Sequence, residues 1–178
     1  MVHAVQENRA TVIHPTAIVA PEAQIGRGVS IGPWCTVGPH VVIEDNAELI
    51  SHVVVDGHTR LGAGSRYFPF CTIGMAPQDL KYKGEPTRCE VGARTVVREH
   101  VTIHRGTASG SGLTHVGDDV LIMANAHVAH DCWLGNRVII VNNVVMGGHV
   151  VIDDDAGIMG SGAFHQFVRI GHAALGGW

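Results

Sequence analysis

A six-residue spacing of large apolar residues runs through most of this chain. From Ile13 to Ile73 every sixth position holds an aliphatic or aromatic residue, and a small or β-branched residue follows almost every one four positions later. The same spacing returns at Val91 and continues from Val116 to Ile170. Neither an α-helix nor an alternating strand produces this pattern. It is typical of a parallel β-helix, in which three hexads form one coil.

The composition fits a narrow all-β interior and argues against several classes of protein. Aromatic residues make up only 5% of the 178 residues, and there are 23 glycines, as expected where side chains near an axis must be small. We expect residues 1–178 to form one such domain. The net charge of −4 argues against a nucleic-acid partner. No apolar run approaches the roughly 20 residues that cross a bilayer, which argues against stable membrane insertion.

The start of the chain and its cysteines indicate a cytoplasmic protein. The opening segment, MVHAVQENRATV, lacks the apolar stretch of a secretory signal. No two cysteines form a CxxC pair. We therefore expect free thiols in a reducing compartment; the four cysteines are Cys35, Cys71, Cys89 and Cys132.

Two polar stretches break the repeat. They are rich in Gly, Pro or Ser and are expected to leave the coil as loops, near residues 74–90 and 104–115. The first carries Asp79, Lys81, Tyr82 and Arg88, and loops on a rigid scaffold often present such groups for binding. The second is expected to serve as a spacer or as packing material.

Histidines that are separated along the chain come together in this arrangement. Residues three hexads apart stack in successive coils, so His130, Gly148 and Gln166 form one column on one side of the prism. Polar residues often fill the corners of β-helices for structural reasons, but several histidines within a few stacked positions favour a functional site. The histidines around this column are His127, His130, His149 and His165.

Imidazole is a natural general base near neutral pH. Asp131 can orient His130 and stabilise its imidazolium if the chain turns between them, since neighbours in a strand face opposite ways. The unobstructed N–H of Gly148 is suited to stabilising an oxyanion. No Ser or Cys is paired with a His by a recognisable nucleophile motif, which favours direct acyl transfer over a covalent acyl-enzyme. A metal site is the competing interpretation.

Seven motifs in the sequence resemble one family. They are IHPTAIV, SHVVVDGHT, PQDLKYKGEPT, VTIHRGT, NAHVAHDC, GGHV and HQFVRIG. Together they closely resemble the UDP-N-acetylglucosamine acyltransferases that begin lipid A synthesis, from about Ile13 to Gly177. The resemblance implies a homotrimer of left-handed β-helices without a metal or cofactor. It also implies transfer of an (R)-3-hydroxyacyl group from acyl carrier protein to the 3-hydroxyl of UDP-N-acetylglucosamine.

The same resemblance implies roles for individual residues. His130 would be the base that deprotonates the hydroxyl, Asp131 its support and Gly148 the oxyanion donor. In this family the sites lie between subunits, which would let the first loop serve a neighbouring subunit. The residues implied to bind the substrates are Gln78, Asp79, Lys81, His127, His149, His165 and Gln166.

The sequence differs from the family pattern at its end. Members of the family continue into further coil and a C-terminal helical region with basic residues that contact the nucleotide, whereas this sequence stops in mid-repeat at Trp178. In the family, the residue after a GG pair limits the length of the acyl chain. Trp178, which follows such a pair, would therefore favour shorter acyl donors, or else cover the open end of the β-helix.

Three other interpretations stay open. A γ-class carbonic anhydrase has the same fold and binds zinc through histidines, but it normally shows two of them five positions apart, and no two of the 13 histidines here have that spacing. An acyltransferase that acts later in lipid A synthesis has an N-terminal domain that this sequence lacks. A non-catalytic β-helical scaffold would show no acyl transfer.

Overall fold

Short strands account for the regular structure of the described part of the chain. The computed structural model describes residues 9–176, and in this range the backbone forms 25 strands and no helix. Most of these strands are two residues long. Within the same range, nothing helical is long and apolar enough to span a membrane.

The strands form three sheets, each built from every third strand along the chain. Sheet 1 contains nine strands: β1 (Val12–Ile13), β4 (Ser30–Ile31), β7 (Glu48–Leu49), β10 (Arg66–Tyr67), β13 (Val96–Val97), β16 (Leu121–Ile122), β19 (Ile139–Ile140), β22 (Gly157–Ile158) and β25 (Leu175–Gly176). Sheet 2 contains eight: β2 (Ile18–Val19), β5 (Thr36–Val37), β8 (Val54–Val55), β11 (Thr72–Met75), β14 (Thr102–His104), β17 (His127–Val128), β20 (Val145–Met146) and β23 (Ala163–Phe164). Sheet 3 contains eight: β3 (Gln24–Ile25), β6 (Val42–Ile43), β9 (His58–Leu61), β12 (Arg88–Val91), β15 (Leu113–Val116), β18 (Trp133–Leu134), β21 (Val151–Ile152) and β24 (Arg169–Ile170).

Each strand pairs in parallel with the strand one coil later. Val12 pairs with Ser30, and Leu121 with Ile139, a step of three hexads in both cases. Three strands and three corners therefore complete one turn, and the coils stack along a single axis. The prediction of an all-β, left-handed parallel β-helix with three hexads per coil is confirmed.

Two positions of each hexad point inward and form the core. Val29 and Ile31 are buried on either side of Ser30, which faces outward, and this alternation continues along the axis. The largest fully buried side chain is that of Tyr67. Ser65, two positions before it, is also fully buried. Small residues at alternate inward positions thus leave room for the larger side chains in a narrow interior.

Two loops leave the coil, and both do so at the corner between sheet 2 and sheet 3, here called the 2–3 corner. The first loop, residues 76–87, connects β11 to β12, and the second loop, residues 105–112, connects β14 to β15. Both are shorter than the predicted segments 74–90 and 104–115, because the flanking strands are three or four residues long and continue the coil.

The loops change the spacing between paired residues without breaking the pairing. Val91 pairs with Leu61 in the preceding coil, although the first loop lies between them in the chain. It also pairs with Val116 in the following coil, across the second loop. Counting in steps of three hexads therefore fails between these coils, although their strands are still in register.

The corner between sheet 3 and sheet 1 is held by polar contacts between successive coils. The Nε atom of Arg137 lies 2.6 Å from Oδ1 of Asp155. The backbone N–H of Asn136 donates to Oδ1 of Asp154 at 2.8 Å. Exposed ion pairs of this kind contribute little individually to stability, but these contacts give polar groups of the turn a partner in the next coil. This corner is therefore structural, and it contrasts with the 2–3 corner, where both loops leave.

Two neighbouring isoleucines provide a matched test of the inward positions. Ile140 is fully buried, whereas Ile139 points outward and is 45% exposed. We expect Ile140→Ala to lower the free energy of unfolding by about 2–5 kcal/mol, because it leaves a cavity in the core. Ile139→Ala should cost less than about 1 kcal/mol. Urea unfolding of both variants measures the difference, and equal losses would contradict the assignment of inward and outward faces.

Candidate active site

The 2–3 corner brings His130, Gly148 and Gln166 into one column. The N–H of His149 donates to the carbonyl oxygen of His130 at 3.1 Å, and the N–H of Phe167 donates to that of Gly148 at 3.2 Å. These bonds join three successive coils at the corner. The structure thus places the three residues in the column that the hexad spacing predicts.

Gly148 lies directly against the imidazole ring of His130. A Cβ atom at this position would stand 2.4 Å from Cε1 and 2.7 Å from Nε2 of that ring, so a larger residue would displace it. Gly148 is buried, and within residues 9–176 its N–H donates no hydrogen bond. Buried N–H groups without a partner are rare. This donor is therefore available to a bound group.

His130 and Asp131 form a hydrogen-bonded pair. Nδ1 of His130 lies 2.8 Å from Oδ2 of Asp131. The chain turns between them because Asp131 has a left-handed φ of 59°, so the two adjacent side chains meet. When Nδ1 donates to the carboxylate, Nε2 keeps its lone pair and can accept a proton. The pair has the arrangement of a general base with an orienting carboxylate.

The second loop encloses the carboxylate of Asp131. Thr107 donates to Oδ2 from its hydroxyl at 2.7 Å and from its N–H at 3.1 Å. The hydroxyl of Ser111 lies 3.0 Å from Oδ1, and the N–H of Gly112 donates to the same oxygen at 3.1 Å. Burial alone would raise the pKa of Asp131, but the hydrogen bonds from Thr107, His130 and Ser111 outweigh it and lower that pKa. The carboxylate is therefore held ionised and in a fixed orientation.

A cavity of about 560 Å³ lies between the 2–3 corner and the first loop. Its lining contains Ser109 and Phe167. His149 stacks on Phe167 with ring centroids 4.6 Å apart, and its Nε2 lies 3.9 Å from Oδ2 of Asp131. Polar groups from the loop and from the column thus face one space. The predicted site residues that line it are Gln78, Asp79, Lys81, His130, His149 and Gln166.

Two predicted substrate-binding residues lie elsewhere. His127 is on the outward face of sheet 2, where its Nδ1 lies 2.7 Å from the hydroxyl of Thr102. Burial, followed by the charge of His130, lowers the pKa of His127. Trp178 lies outside the described residues. His165 lines a neighbouring cavity that is mostly apolar, together with Val145, Met146, Gly147, Ala163 and Phe164.

His104 belongs to this region but escapes prediction from the sequence. Its ring is buried and meets that of His127 edge-on, with centroids 4.8 Å apart. Its Nδ1 has no hydrogen-bond partner in residues 9–176. Burial, together with the charges of His127 and His130, lowers its pKa to about 4, so the ring is neutral at pH 7. The second loop begins directly after His104, so the paired residues Thr102 and His127 are separated by more than three hexads. Counting in steps of three hexads therefore does not place His104 beside His127.

The second loop, expected to serve as a spacer or as packing material, also makes specific polar contacts with Asp131. This loop supplies most of the hydrogen bonds to Asp131, chiefly from Thr107. A Cβ atom at Gly110 would stand 2.5 Å from the carboxyl carbon of Asp131. The absence of a side chain at Gly110 therefore lets the loop close around that carboxylate. The small and hydroxyl-bearing residues of GTASGSG are the signal in the sequence that could have indicated this role.

Three side chains at this position are close enough to bind one metal ion, but the hydrogen bonds of Asp131 disfavour a metal site. Donor atoms of His130, Asp131 and His149 lie within 4.8 Å of one another. Both oxygens of Asp131, however, already accept hydrogen bonds, from Thr107 above all. A cation would have to displace these buried donors and leave them unpaired, which is costly. The arrangement favours proton transfer over metal binding.

Comparison with known sequences identifies similar transferases. The family model of the bacterial transferase hexapeptide (six repeats) matches residues 113–148. The chain is 49% identical over 144 residues to the acyl-[acyl-carrier-protein]–UDP-N-acetylglucosamine O-acyltransferase of Thermodesulfovibrio yellowstonii. That match covers 81% of this chain and 56% of the relative.

Comparison with solved structures gives the same result. The UDP-N-acetylglucosamine acyltransferase of Francisella novicida has a TM-score of 0.88 at 40% identity, covering 93% of this chain and 62% of its own. The enzyme from Campylobacter jejuni has a TM-score of 0.90 at 36% identity, covering 93% and 65%. The chain therefore spans less than two thirds of the length of these relatives.

Replacing Thr107 with valine tests how the second loop holds Asp131. The variant keeps the backbone N–H and the size of the side chain but loses the hydroxyl bond, and a bond to a charged group contributes about 1.5–3 kcal/mol. Because the pKa of Asp131 is lowered in the folded protein, this contribution is present above the unfolded pKa of about 3.9 and is lost as the pH falls through the folded pKa. We expect urea unfolding to show the full loss at pH 7 and a smaller one in acid.

Thr11→Val is the matched control. The Thr11 hydroxyl donates to the backbone oxygen of Gly26 at 3.0 Å, and this acceptor does not titrate. Its loss should cost about 1 kcal/mol or less at every pH. If the loss in Thr107→Val were equally independent of pH, Thr107 would act through packing and not through the Asp131 carboxylate.

Proposed function

Since the chain belongs to the family of UDP-N-acetylglucosamine O-acyltransferases, we propose that it transfers an (R)-3-hydroxyacyl group from acyl carrier protein to the 3-hydroxyl of UDP-N-acetylglucosamine. The observation that carries the proposal is the His130–Asp131 pair beside the cavity under the first loop. Acyl transfer requires a base for the hydroxyl and a donor for the developing oxyanion. His130 and the N–H of Gly148 provide both within one column.

In this mechanism, Nε2 of His130 accepts the proton of the sugar 3-hydroxyl as its oxygen attacks the thioester carbonyl carbon. The N–H of Gly148 stabilises the negative charge on the former carbonyl oxygen. When the tetrahedral intermediate collapses, the C–S bond breaks and the departing thiolate takes the proton from the imidazolium of His130. Asp131 stays ionised throughout and stabilises that imidazolium.

The state of Cys132 supports direct transfer to the sugar. This thiol is two positions from His130, and only a thiolate would be an effective nucleophile. Cys132 is buried, its thiol lies 3.2 Å from the backbone oxygen of Gly147, and burial raises its pKa to about 11. It therefore stays protonated at neutral pH, and no acyl-cysteine intermediate is proposed.

The two substrates are assigned to the two spaces beside His130. The acyl chain is assigned to the mostly apolar cavity that His165 lines. His127 is assigned to the same substrate, because it pairs in register with Val145, which lines that cavity. The residues assigned to UDP-N-acetylglucosamine are Gln78, Asp79, Lys81, His149 and Gln166.

We place the reaction in the cytoplasm. The four cysteines are free and buried, and free thiols persist in reducing compartments. The net charge of −4 gives no reason to include a nucleic acid among the partners.

A homotrimer is proposed as the functional assembly. The outward positions of the strands of sheet 2 carry no Asp, Glu, Lys or Arg, and two of them, Ile18 and Val145, are large apolar residues that are exposed. Sheet 1 by contrast exposes the ion pair of Glu48 with Arg66. An uncharged face is suited to burial against another copy, and closed rings are the usual solution for identical subunits. The outward positions of sheet 2 are Ile18, Thr36, Val54, Thr72, Thr102, His127, Val145 and Ala163.

His130→Ala tests the proposed base. We expect turnover with acyl carrier protein thioester and UDP-N-acetylglucosamine to fall by roughly 10²–10⁴-fold, the usual contribution of a general base. His172→Ala is the matched control, because His172 is exposed and lies at the corner between sheet 3 and sheet 1, with its Nδ1 3.7 Å from Oδ2 of Asp155. Circular dichroism should show both variants folded. Near wild-type turnover in His130→Ala would exclude His130 as the base, and an inactive wild-type chain would favour a scaffold.

Two valines with equivalent environments test the trimer. Val54 and Val42 are both half-buried and face outward, Val54 on sheet 2 and Val42 on sheet 3. Sedimentation should give about three times the chain mass of 18.9 kDa for the wild type and for Val42→Lys. Val54→Lys should dissociate, because it places a charge in the interface. A wild-type monomer at micromolar concentration would contradict the trimer, and dissociation of Val42→Lys instead would move the interface to sheet 3.

A further inference from the structure

Arg105 joins the second loop to the first. It is the first residue of the second loop, and its side chain is only 15% exposed. Its Nε donates to the hydroxyl of Tyr82 at 2.8 Å, and its Nη1 donates to the backbone oxygen of Gly74 at 2.9 Å. The guanidinium thus holds one group at the end of β11, just before the first loop, and another at the middle of that loop.

Tyr82 extends this contact further along the first loop. Its hydroxyl donates to the backbone oxygen of Glu85 at 2.7 Å, while it accepts the bond from Arg105. The guanidinium carbon also lies 5.5 Å from the centre of the Tyr82 ring, within the range of a cation–π interaction. One cationic side chain is therefore linked to Tyr82 and, through it, to Glu85 in the first loop, and it is also bonded to Gly74 in the strand before the loop.

The coil leaves a space shaped for this guanidinium. A Cβ atom at Gly57 would stand 2.3 Å from Nη1 of Arg105, so a larger residue would push the guanidinium out. Gly57 and Gly74 both have left-handed φ values, 65° and 74°, which glycine adopts without strain. The carboxylate of Asp56 lies 3.9 Å from Nη1 and adds opposite charge. Arg105 is thus held by the coil on one side and by the first loop on the other.

We propose that Arg105 is the positioning residue that holds the first loop over the cavity beside His130. The inference rests on the proposed function, because Gln78, Asp79 and Lys81 on this loop are assigned to the sugar nucleotide. Those groups would bind the acceptor in the ground state and the transition state alike. Loss of Arg105 therefore raises KM for UDP-N-acetylglucosamine and changes kcat little.

The positions of the lysines allow the opening of the first loop to be measured without an activity assay. The chain has two lysines, Lys81 and Lys83, and both are in the first loop. A lysine-specific endoprotease can therefore cut this chain only there. Cleavage of a folded protein requires the segment to open, so the initial rate reports how often the loop leaves its place.

The experiment compares Arg105→Gln, Tyr82→Phe and Arg137→Gln with the wild type. Arg137 is the matched control, since it makes hydrogen bonds of 2.6 and 2.9 Å to Asp155 at a corner that carries neither loop. We expect Arg105→Gln to be cleaved about 10- to 100-fold faster and to raise KM by about 10-fold, the scale of losing charge-assisted hydrogen bonds. Tyr82→Phe should lie between, because it keeps the ring and the bond to Gly74. Arg137→Gln should match the wild type.

The two readouts separate this inference from the proposed function. Unchanged cleavage in Arg105→Gln, or a fall in kcat with KM unchanged, would overturn the positioning role. A wild-type chain without transfer activity would overturn the proposed function, and the cleavage rates would then decide alone whether Arg105 holds the loop. Equal acceleration in Arg137→Gln would show general destabilisation and would also count against the proposal.

Discussion

The structure depends on parallel backbone hydrogen bonds between residues one coil apart. Most strands are only two residues long, so each is stable only through the strands above and below it. The constant step of three hexads converts distance along the sequence into height along the axis. It also fixes which side chains share a column, at each corner and on each face. Because the narrow axis accepts mainly small and aliphatic side chains, the charged residues lie at the corners, on the outward faces and in the loops.

Both loops are inserted at a corner, where they do not disturb the pairing between coils. Each lengthens the step between paired residues, yet the strands on either side stay paired. Since both leave at the 2–3 corner, they meet each other and the histidine column, while the other two corners continue unchanged. The result is that each residue of the His130–Asp131 pair has its own support. His130 rests on Gly148 in the next coil, and its partner Asp131 is enclosed by the second loop.

One rule explains both which features can be predicted from the sequence and which cannot. The β-helix, its inward residues and the column of His130, Gly148 and Gln166 depend on the constant step, so counting finds them. The contact between His130 and Asp131 depends on a left-handed turn, which strand alternation does not reveal. His104, Thr107 and Arg105 border or belong to the second loop, where the step changes. Their contacts depend on the path of the loops, which no periodicity encodes.

The contact between Gly148 and His130 has a consequence for exchanging segments among related proteins. Neither residue can be judged alone, because the space for the ring is made by the coil above it. A hybrid joined between the two coils would take His130 from one parent and the residue at position 148 from the other. If the second parent had a side chain at the supporting position, the ring would be displaced although every strand still paired. Two adjacent coils therefore have to come from the same parent. Exchange points that preserve the contact between Gly148 and His130 lie outside that pair of coils.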